Sequence, residues 1–201
     1  MTGERAGGRG RGSLSRRLVL ALATALLTSR VSADEVSVPV PLQVDLLMKV
    51  ASYDKNLKRR AGERLRVAVL VDPREADSGR VGAQALAALA QADEVIGLPV
   101  EAINIEYADA ASLARVTDAS RIAVLYVTPG FDVVELEAIS RALEGHSVLS
   151  AGAVAKYTER GTVLGFDLVG GKPKLLVHLG RAKRQQVELS SAVLKLMTVI
   201  E

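Results

Sequence analysis

Two continuous apolar runs without polar alternation constrain the fold of this 201-residue chain more than any other feature. The first is RLRVAVLV, residues 64–71, which ends at Asp72-Pro73, and the second is RIAVLYVTPG, residues 121–130. A strand with one face in water alternates apolar and polar residues, whereas a strand buried on both faces does not. The two runs therefore predict central strands of a parallel sheet covered by helices on both faces.

Helical segments separate the predicted strands along the chain. Amphipathic or alanine-rich stretches at residues 77–92, 109–120 and 132–145 alternate with strand-like stretches at residues 98–107 and 146–152. Strands and helices that alternate at this spacing are typical of a parallel α/β sheet. The pattern therefore predicts one α/β domain and shows no internal repeat.

The last forty residues depart from this alternation. Residues 161–180 predict two strands joined by a tight turn at residues 169–172, where two glycines are adjacent. Ser190 or Ser191 could then cap a last helix that extends to Met197. The predicted fold is therefore α/β, a mostly parallel sheet with helices on both faces, which ends in an antiparallel hairpin and a C-terminal helix.

The N-terminus has the composition of a secretory signal peptide. A basic, polar start is followed by an apolar run at residues 18–27, and Val-Ser-Ala ends at Ala33. This pattern predicts a leader at residues 1–33 with cleavage after Ala33, an extended lead-in at 34–41 and a single domain at 42–201. A pair of arginines before the apolar run also resembles a twin-arginine signal, so the Sec and twin-arginine routes both stay open.

The predicted leader also explains the basic isoelectric point of 9.3. The whole chain carries 26 basic and 23 acidic residues, a net charge of +3, and the leader accounts for six arginines and one glutamate. The remaining 20 basic and 22 acidic residues give −2. A chain near neutrality after export has no overall attraction to nucleic acid, so nucleic acid is not an expected partner.

No motif in the sequence predicts catalysis, a cofactor or a metal. The chain has no cysteine, which excludes disulfides, thiol catalysis and cysteine metal sites. His146 and His178 have no further ligand at metal-binding spacing. The serine elbow of hydrolases and the lysine of a phosphate-binding P-loop are also missing. We therefore expect no enzyme.

The loops that follow the predicted strands are the expected ligand or partner contacts. In open α/β sheets, ligands bind beyond the carboxyl ends of the strands. The residues in question are Ser78, Arg80, Thr128, Gly130 and Gly152. Because these loops are small and glycine-rich, they suit a shallow contact surface better than an acid–base site.

A basic stretch near the start of the domain is a second candidate surface. Helical spacing runs from residue 42 to about residue 60, and the cations Lys55, Lys58, Arg59 and Arg60 fall near its end. Positive charge there meets the negative end of the helix dipole, and Gly62 can end the helix. The same cations could form a basic docking ridge for an acidic partner or for a membrane surface.

Four segments give the chain a family resemblance. They are LLMKVASYDKNLKRRAGERLRVAVLVDP, GLPVEAINIEYAD, RIAVLYVTPG and the C-terminal run GTVLGFDLVGGKPKLLVHLGRAKRQQVELSSAVLKLMTVIE. Over residues 42–200 the chain resembles the YfiR family of exported bacterial proteins, which includes HmsC-like members. It departs from the family pattern at His178, where asparagine is expected, and at Met197-Thr198, where Leu-Ala is expected. It also lacks the cysteines of the family's namesake.

The resemblance implies a periplasmic regulator. YfiR-like proteins restrain a membrane diguanylate cyclase by binding its periplasmic part, and they thereby tune cyclic-di-GMP signalling and biofilm formation. The partner implied here is a membrane signalling protein, either a diguanylate cyclase or a sensor kinase, and a homodimer stays open. The family supplies no catalytic residue to carry over. The alternative is a periplasmic protein that binds a small ligand or assists a transport system.

Overall fold

The predicted strands form one sheet in the computed structural model of the protein, which describes residues 36–201. The predicted leader and its cleavage site lie outside the described residues. The strands are β1 Leu65–Val71, β2 Glu94–Val95, β3 Leu98–Glu106, β4 Val124–Val127, β5 Leu149–Gly152, β6 Leu164–Val169, β7 Lys172–His178 and β8 Met197–Ile200. The helices are α1 Val40–Ala51, α2 Leu57–Ala61, α3 Ala76–Leu89, α4 Ala110–Ala119, α5 Val133–Ala142, α6 Tyr157–Arg160, α7 Leu179–Arg184 and α8 Ser191–Leu194.

The sheet has the strand order β2-β3-β1-β4-β5-β6-β7-β8. The five strands from β3 to β6 are parallel, and β1 pairs with β3 on one side and with β4 on the other. Two pairs are antiparallel, β2 with β3 and β6 with β7. The last pair, β7 with β8, is parallel. The mostly parallel α/β fold predicted from the sequence is confirmed.

Both faces of the central strands are buried, as the continuous apolar runs predict. Val67 and Val69 of β1 belong to the core on the side of α1 and α3, whereas Ala68 and Leu70 belong to the core on the side of α4 and α5. Burying one valine or leucine side chain contributes about 1.5–3 kcal/mol. Two separate cores on either side of the sheet therefore explain why these strands tolerate no polar alternation.

The predicted antiparallel hairpin is confirmed at β6 and β7. Its two central residues, Gly170 and Gly171, have φ values of +57° and +73°. A tight two-residue turn that follows the twist of the strands requires positive φ at both positions, which glycine adopts without steric cost.

A buried glutamine fastens the start of the described chain to the sheet. The Gln43 side chain is fully buried in α1, and its amide nitrogen donates to the carbonyl oxygens of Val38 at 2.9 Å and of Ala153 at 3.1 Å. Its amide oxygen accepts from the Tyr126 hydroxyl at 2.8 Å. Because every partner is present, this polar group costs little in the core and ties three segments together.

The helix predicted from residue 42 to residue 60 is interrupted. α1 ends at Ala51, and α2 begins at Leu57 and is followed by Gly62. Between them Asp54 forms an isolated antiparallel bridge with Leu189, and Asp54 Oδ1 accepts from the backbone N–H groups of Asn56 and Glu188. These tertiary hydrogen bonds stabilise a turn where helical spacing alone favours a continuous helix.

The last predicted helix is shorter than expected. α8 ends at Leu194, and Met197 begins β8, which pairs with Leu175–His178 of β7. β-Branched residues dominate this stretch and suit an edge strand better than a helix end. The chain therefore adds a parallel strand where the apolar spacing predicted further helix.

Candidate functional site

The central parallel strands end along one edge of the sheet, called the carboxyl edge below, and begin along the opposite amino edge. β1 leads through α3 to β3 on one side, whereas β4 leads through α5 to β5 on the other side. The loops after β1 and β4 therefore diverge, which is the place where open α/β sheets bind ligands. Of the predicted contact residues, Ser78, Thr128 and Gly130 meet here.

Ser78 and Thr128 join α3 to β1 and β4 through a buried chain of hydrogen bonds. The Thr128 hydroxyl donates to Leu70 O at 2.7 Å, so Ser78 Oγ, which lies 2.5 Å from Thr128 Oγ1, donates to it. Ser78 Oγ also accepts from the backbone N–H of Asp72 at 2.8 Å. Both side chains are fully buried. Their hydroxyl protons therefore hold the carboxyl edge together and are not presented to a ligand.

The two predicted glycines permit close packing of the chain on itself. Gly130 has φ +108°, and a Cβ at this position would lie 2.9 Å from the Cβ of Glu75. At the end of β5, a Cβ on Gly152 would lie 2.6 Å from the Cβ of Tyr157. Side chains of this chain therefore fill the space next to both glycines.

Arg80 lies apart from the meeting point of the two loops. It is exposed on α3, and its guanidinium donates to the Asp77 carboxylate at 3.2 Å, three residues earlier. Gly152 likewise belongs to the neighbouring strand β5. The structure thus brings three of the five predicted contact residues together and leaves these two separate.

Arg74, which sequence reasoning did not single out, joins the two loops of the carboxyl edge. Its Nε and Nη2 donate to the two carboxylate oxygens of Asp72 at 2.8 and 2.7 Å, and Nη2 also donates to the Glu135 carboxylate. The side-chain hydrogen bond from Arg74 lowers the pKa of Asp72, while Asp72 and then Glu135 raise the pKa of Arg74. The spacing in the sequence could have indicated this ion pair, because Arg74 lies two residues after the aspartate that follows β1.

An aromatic pair and a small apolar pocket flank this ion cluster. The rings of Tyr107 and Phe131 meet edge to face, with centroids 5.2 Å apart and planes at 84°. Burial, and next the charge of Glu135, raises the pKa of Tyr107. Beside Tyr107 lies a pocket of about 200 Å³ between the ends of β1 and β3 and the first turns of α4. Its walls include Leu70, Ile105, Leu113 and Val116.

The predicted basic ridge lies at the amino edge, around α2. Lys58 and Arg59 are exposed in the last turn of α2 and have no carboxylate partner within residues 36–201. Arg59 Nη2 donates to the amide oxygen of Asn56 at 3.1 Å. Lys55 precedes the helix and pairs with Glu188 at 2.6 Å in an exposed contact. Exposed cations thus remain on this surface, in the orientation that the helix dipole favours.

Arg60 corrects the prediction of a four-cation ridge. Only 8% of this residue is exposed, and its guanidinium is ion-paired with the buried carboxylate of Asp54. Burial is the main reason why the pKa of Arg60 is lowered from its usual value, although Asp54 opposes that shift. Its side chain therefore faces inward. The charges of Arg60 and Asp54 are both removed from water, and this is tolerated because they bind each other.

A polar pocket of about 330 Å³ opens at the amino edge beside the ridge. It lies where α2, the end of α4 and the start of β4 meet, and sequence reasoning did not predict it. Asp118 in its wall is bound by His146, with Asp118 Oδ1 and His146 Nδ1 2.7 Å apart. The lining residues are Arg59, Arg60, Thr117, Asp118, Arg121, Ile122, Ser147 and Gln186.

Residues 36–201 contain no group of three histidine, cysteine, aspartate or glutamate side chains arranged to hold a metal ion. Within the same residues, no helix has the length and apolar character needed to cross a membrane.

A family profile described as YfiR/HmsC-like matches residues 44–198, which is most of the chain. This protein belongs to the YfiR/HmsC-like family. The match includes both apolar strands, the hairpin and the C-terminal segment on which the resemblance was argued, so the family prediction is confirmed. A comparison with curated protein sequences finds no match to this YfiR/HmsC-like chain.

Two solved structures show a distant similarity to this YfiR/HmsC-like protein. One is an ABC domain in complex with L-Trp from Streptococcus pneumonia, with a TM-score of 0.51, 13% identity, and coverage of 75% of this chain and 60% of that one. The other is the open, ligand-free substrate-binding protein CD0873 from Clostridium difficile, with a TM-score of 0.46, 14% identity, and coverage of 73% and 58%. At such low identity, the first likeness concerns the α/β fold alone.

Proposed function

We propose that the protein is an exported, periplasmic regulatory binding protein that restrains or modulates an inner-membrane signalling protein. The partner would be a diguanylate cyclase or a sensor kinase, bound through its periplasmic part. The observation that carries this proposal is membership of the YfiR/HmsC-like family across residues 44–198. The leader predicted at residues 1–33 supports export.

The chemistry of the carboxyl edge supports a role without catalysis. The hydroxyl of Ser78 and the carboxylates of Asp72 and Glu135 are all engaged by neighbouring side chains. A nucleophile needs a base within hydrogen-bond reach, and an acid–base pair needs carboxylates placed to reach a substrate. Ser78, Asp72 and Glu135 are bound within the chain and are not free for either role, which supports a protein that acts by binding.

The exposed part of the basic ridge is the surface we assign to the partner. Lys55, Lys58 and Arg59 are exposed around α2, and Lys58 and Arg59 keep charges that no carboxylate in residues 36–201 neutralises. Such charges increase the rate of encounter with an acidic surface and fix its orientation more than they raise affinity. An acidic periplasmic segment of a membrane protein fits this surface.

The test combines gene deletion with charge reversal. Deletion should raise cellular cyclic-di-GMP, and the intact protein should co-purify with an inner-membrane signalling protein. The double change Lys58→Glu and Arg59→Glu should reproduce the deletion while the protein stays folded, because both side chains are exposed. The matched control is Arg115→Glu on α4, an exposed arginine whose guanidinium, within residues 36–201, bonds only to Ser112 Oγ. Unchanged cyclic-di-GMP after deletion, with no membrane partner recovered, would count against the proposal.

Two further expectations from the sequence are tested on the same preparation. Sedimentation velocity gives the oligomeric state and tests the homodimer. A thermal-shift screen with metabolites tests the small-ligand alternative at the strand-end loops. Stabilisation by a metabolite, without a signalling partner, would favour that alternative.

A further inference from the structure

The amino-edge pocket contains a buried arginine whose donors are not all used. Arg60 lines this pocket, and 8% of the residue is exposed. Its Nη2 binds Asp54, but its Nε and Nη1 have no hydrogen-bond partner within residues 36–201. Buried polar groups in folded proteins nearly always have partners, so each exception needs an explanation.

A second buried arginine shows how this protein satisfies a guanidinium for structural purposes. Arg181 is 6% exposed, and all three of its nitrogens have oxygen acceptors. Nε donates to Ser140 Oγ at 3.0 Å, and Nη1 donates to the carbonyls of Thr158 and Thr162 at 2.7 and 3.0 Å. Nη2 donates to Glu159 O at 3.4 Å. Arg60, in contrast, has an acceptor within residues 36–201 on only one of its three nitrogens.

Two more arginines of the pocket have no carboxylate partner. Arg121 makes no side-chain hydrogen bond or ion pair with the described residues, and Arg59 bonds only to the neutral amide of Asn56. Among the described residues that line the wall, the only acid is Asp118, which is already bound by His146. Arg121 also adopts φ +49°, a conformation that few residues other than glycine, asparagine and aspartate occupy. The pocket therefore has an excess of positive charge and of guanidinium donors.

We propose that this pocket binds a small polyvalent oxyanion, a molecule that carries phosphate or several carboxylates. Arg59 and Arg121 contact the anion directly, and the unpaired face of Arg60 contributes positive potential from behind them. The planar fork of each guanidinium matches the oxygens of phosphate and carboxylate, which favours two-point contacts. A volume of about 330 Å³ accommodates a small molecule and is too small for a protein segment.

The anion site shares Arg59 with the partner surface and otherwise uses different residues. Arg121 belongs to the pocket and not to the ridge, whereas Lys58 belongs to the ridge and is not part of the pocket wall. The proposal of an anion site does not rest on the signalling role. Anion binding is measured directly on the purified protein, whereas the signalling role is measured by cellular cyclic-di-GMP. Failure of either is therefore distinguishable.

Isothermal titration of the purified full-length protein tests the site, with pyrophosphate and citrate as probes at constant ionic strength. We expect one saturable site for at least one probe, and the preferred probe distinguishes a phosphate from a polycarboxylate ligand. Arg121→Gln and Arg59→Gln should each weaken binding by about tenfold or more, since each removes a charge-assisted contact. Lys58→Gln removes the same charge from the same turn of α2 and should change affinity by less than about twofold.

Thermal midpoints equal to that of the wild-type protein show that the variants are folded, which is expected because Arg59 and Arg121 are exposed. Arg74→Gln supplies a control at the opposite edge, where the arginine is already bound by two carboxylates. The proposal is overturned if neither probe shows saturable binding, or if Lys58→Gln weakens binding as much as Arg121→Gln does.

Discussion

The two edges of the sheet use their arginines in opposite ways. At the carboxyl edge, Arg74 is bound by Asp72 and Glu135, so the cation is neutralised by its own chain. At the amino edge, Arg59 and Arg121 line a pocket without a carboxylate partner in residues 36–201. Ligands of open α/β sheets are expected at the carboxyl edge. Strand order therefore identifies the edge where a ligand is expected, whereas the balance of side-chain charges determines which edge keeps cations without a carboxylate partner.

The largest expected effect comes from breaking the amino edge at Asp54. Asp54→Ala removes the partner of buried Arg60 and the acceptor of the Asn56 and Glu188 N–H groups. Leaving one charge of a buried pair costs about 3–5 kcal/mol of unfolding free energy. Urea unfolding monitored by circular dichroism measures the loss.

The control for that experiment lies one residue away. Lys55 pairs with Glu188, and the two side chains are 61% and 58% exposed. Lys55→Ala should therefore cost about 1 kcal/mol or less. An equal loss for the two variants would show that Asp54 does not anchor a buried pair.

At the carboxyl edge, Ser78→Ala breaks the chain of hydrogen bonds between α3 and the two strands. The backbone N–H of Asp72 loses its acceptor and Thr128 Oγ1 loses a donor, both in a buried site. We expect a loss of about 1–3 kcal/mol, measured by the same unfolding experiment. Ser191→Ala, an exposed position on α8, is the comparison and should change the free energy by less than about 0.5 kcal/mol. Oxyanion binding at the amino edge should be retained.

The ion pair at the carboxyl edge should also make the free energy of unfolding depend on pH. Because Arg74 lowers the pKa of Asp72 in the folded protein, the unfolded chain takes up a proton there first as the pH falls. The contribution of the Asp72–Arg74 interaction to the free energy of unfolding is complete above the unfolded pKa of about 3.9. It is lost as the pH falls through the lower pKa of the folded protein. Asp72→Asn should therefore be less stable than wild type at pH 7 by about 1–2 kcal/mol, and the gap should narrow as the pH falls below the unfolded pKa of about 3.9. A gap that stays constant in denaturant curves across this range would contradict the assignment.

The smallest effect is expected at His178, at the amino edge. His178 Nδ1 accepts from the Arg181 N–H at the start of α7, and burial, followed by the charges of Arg181 and Arg184, lowers its pKa. Stability should decline as the pH falls from the unfolded value of about 6.5 through the lower folded one. His178→Asn keeps an acceptor at the cap and removes this decline, with a change of about 0.5 kcal/mol at pH 7. A decline of the same size in His178→Asn would contradict the assignment.

The strands of the sheet could be predicted from the sequence, whereas the ends of the helices could not. Continuous apolar runs have one good explanation, burial on both faces, so β1 and β4 follow from residues 64–71 and 121–130 without further information. The break at Asp54 depends on a bridge to Leu189, far along the chain. No local pattern reports such a contact, and tertiary hydrogen bonds override helical spacing there.

The candidate sites show the same limit. The topological rule correctly places Ser78 and Thr128 at the carboxyl edge. Whether their hydroxyls can reach a ligand, however, depends on a 2.5 Å contact between these two residues, which are fifty positions apart. Arg60 looks like its neighbours Lys58 and Arg59 in sequence, but helical rotation and the buried Asp54 turn it inward. Arg121 gives no signal at all, because a basic residue before a strand is common in ordinary proteins.

The buried amide of Gln43 gives the protein an internal spectroscopic probe. Its two N–H protons are donated to carbonyls in different segments, at Val38 and at Ala153. Protons held in this way exchange with solvent only when the surrounding structure opens. In a magnetic-resonance spectrum the Gln43 side-chain pair should persist long after exposed amide side chains have vanished in deuterated water. Its disappearance would report detachment of the first helix before any global unfolding is seen.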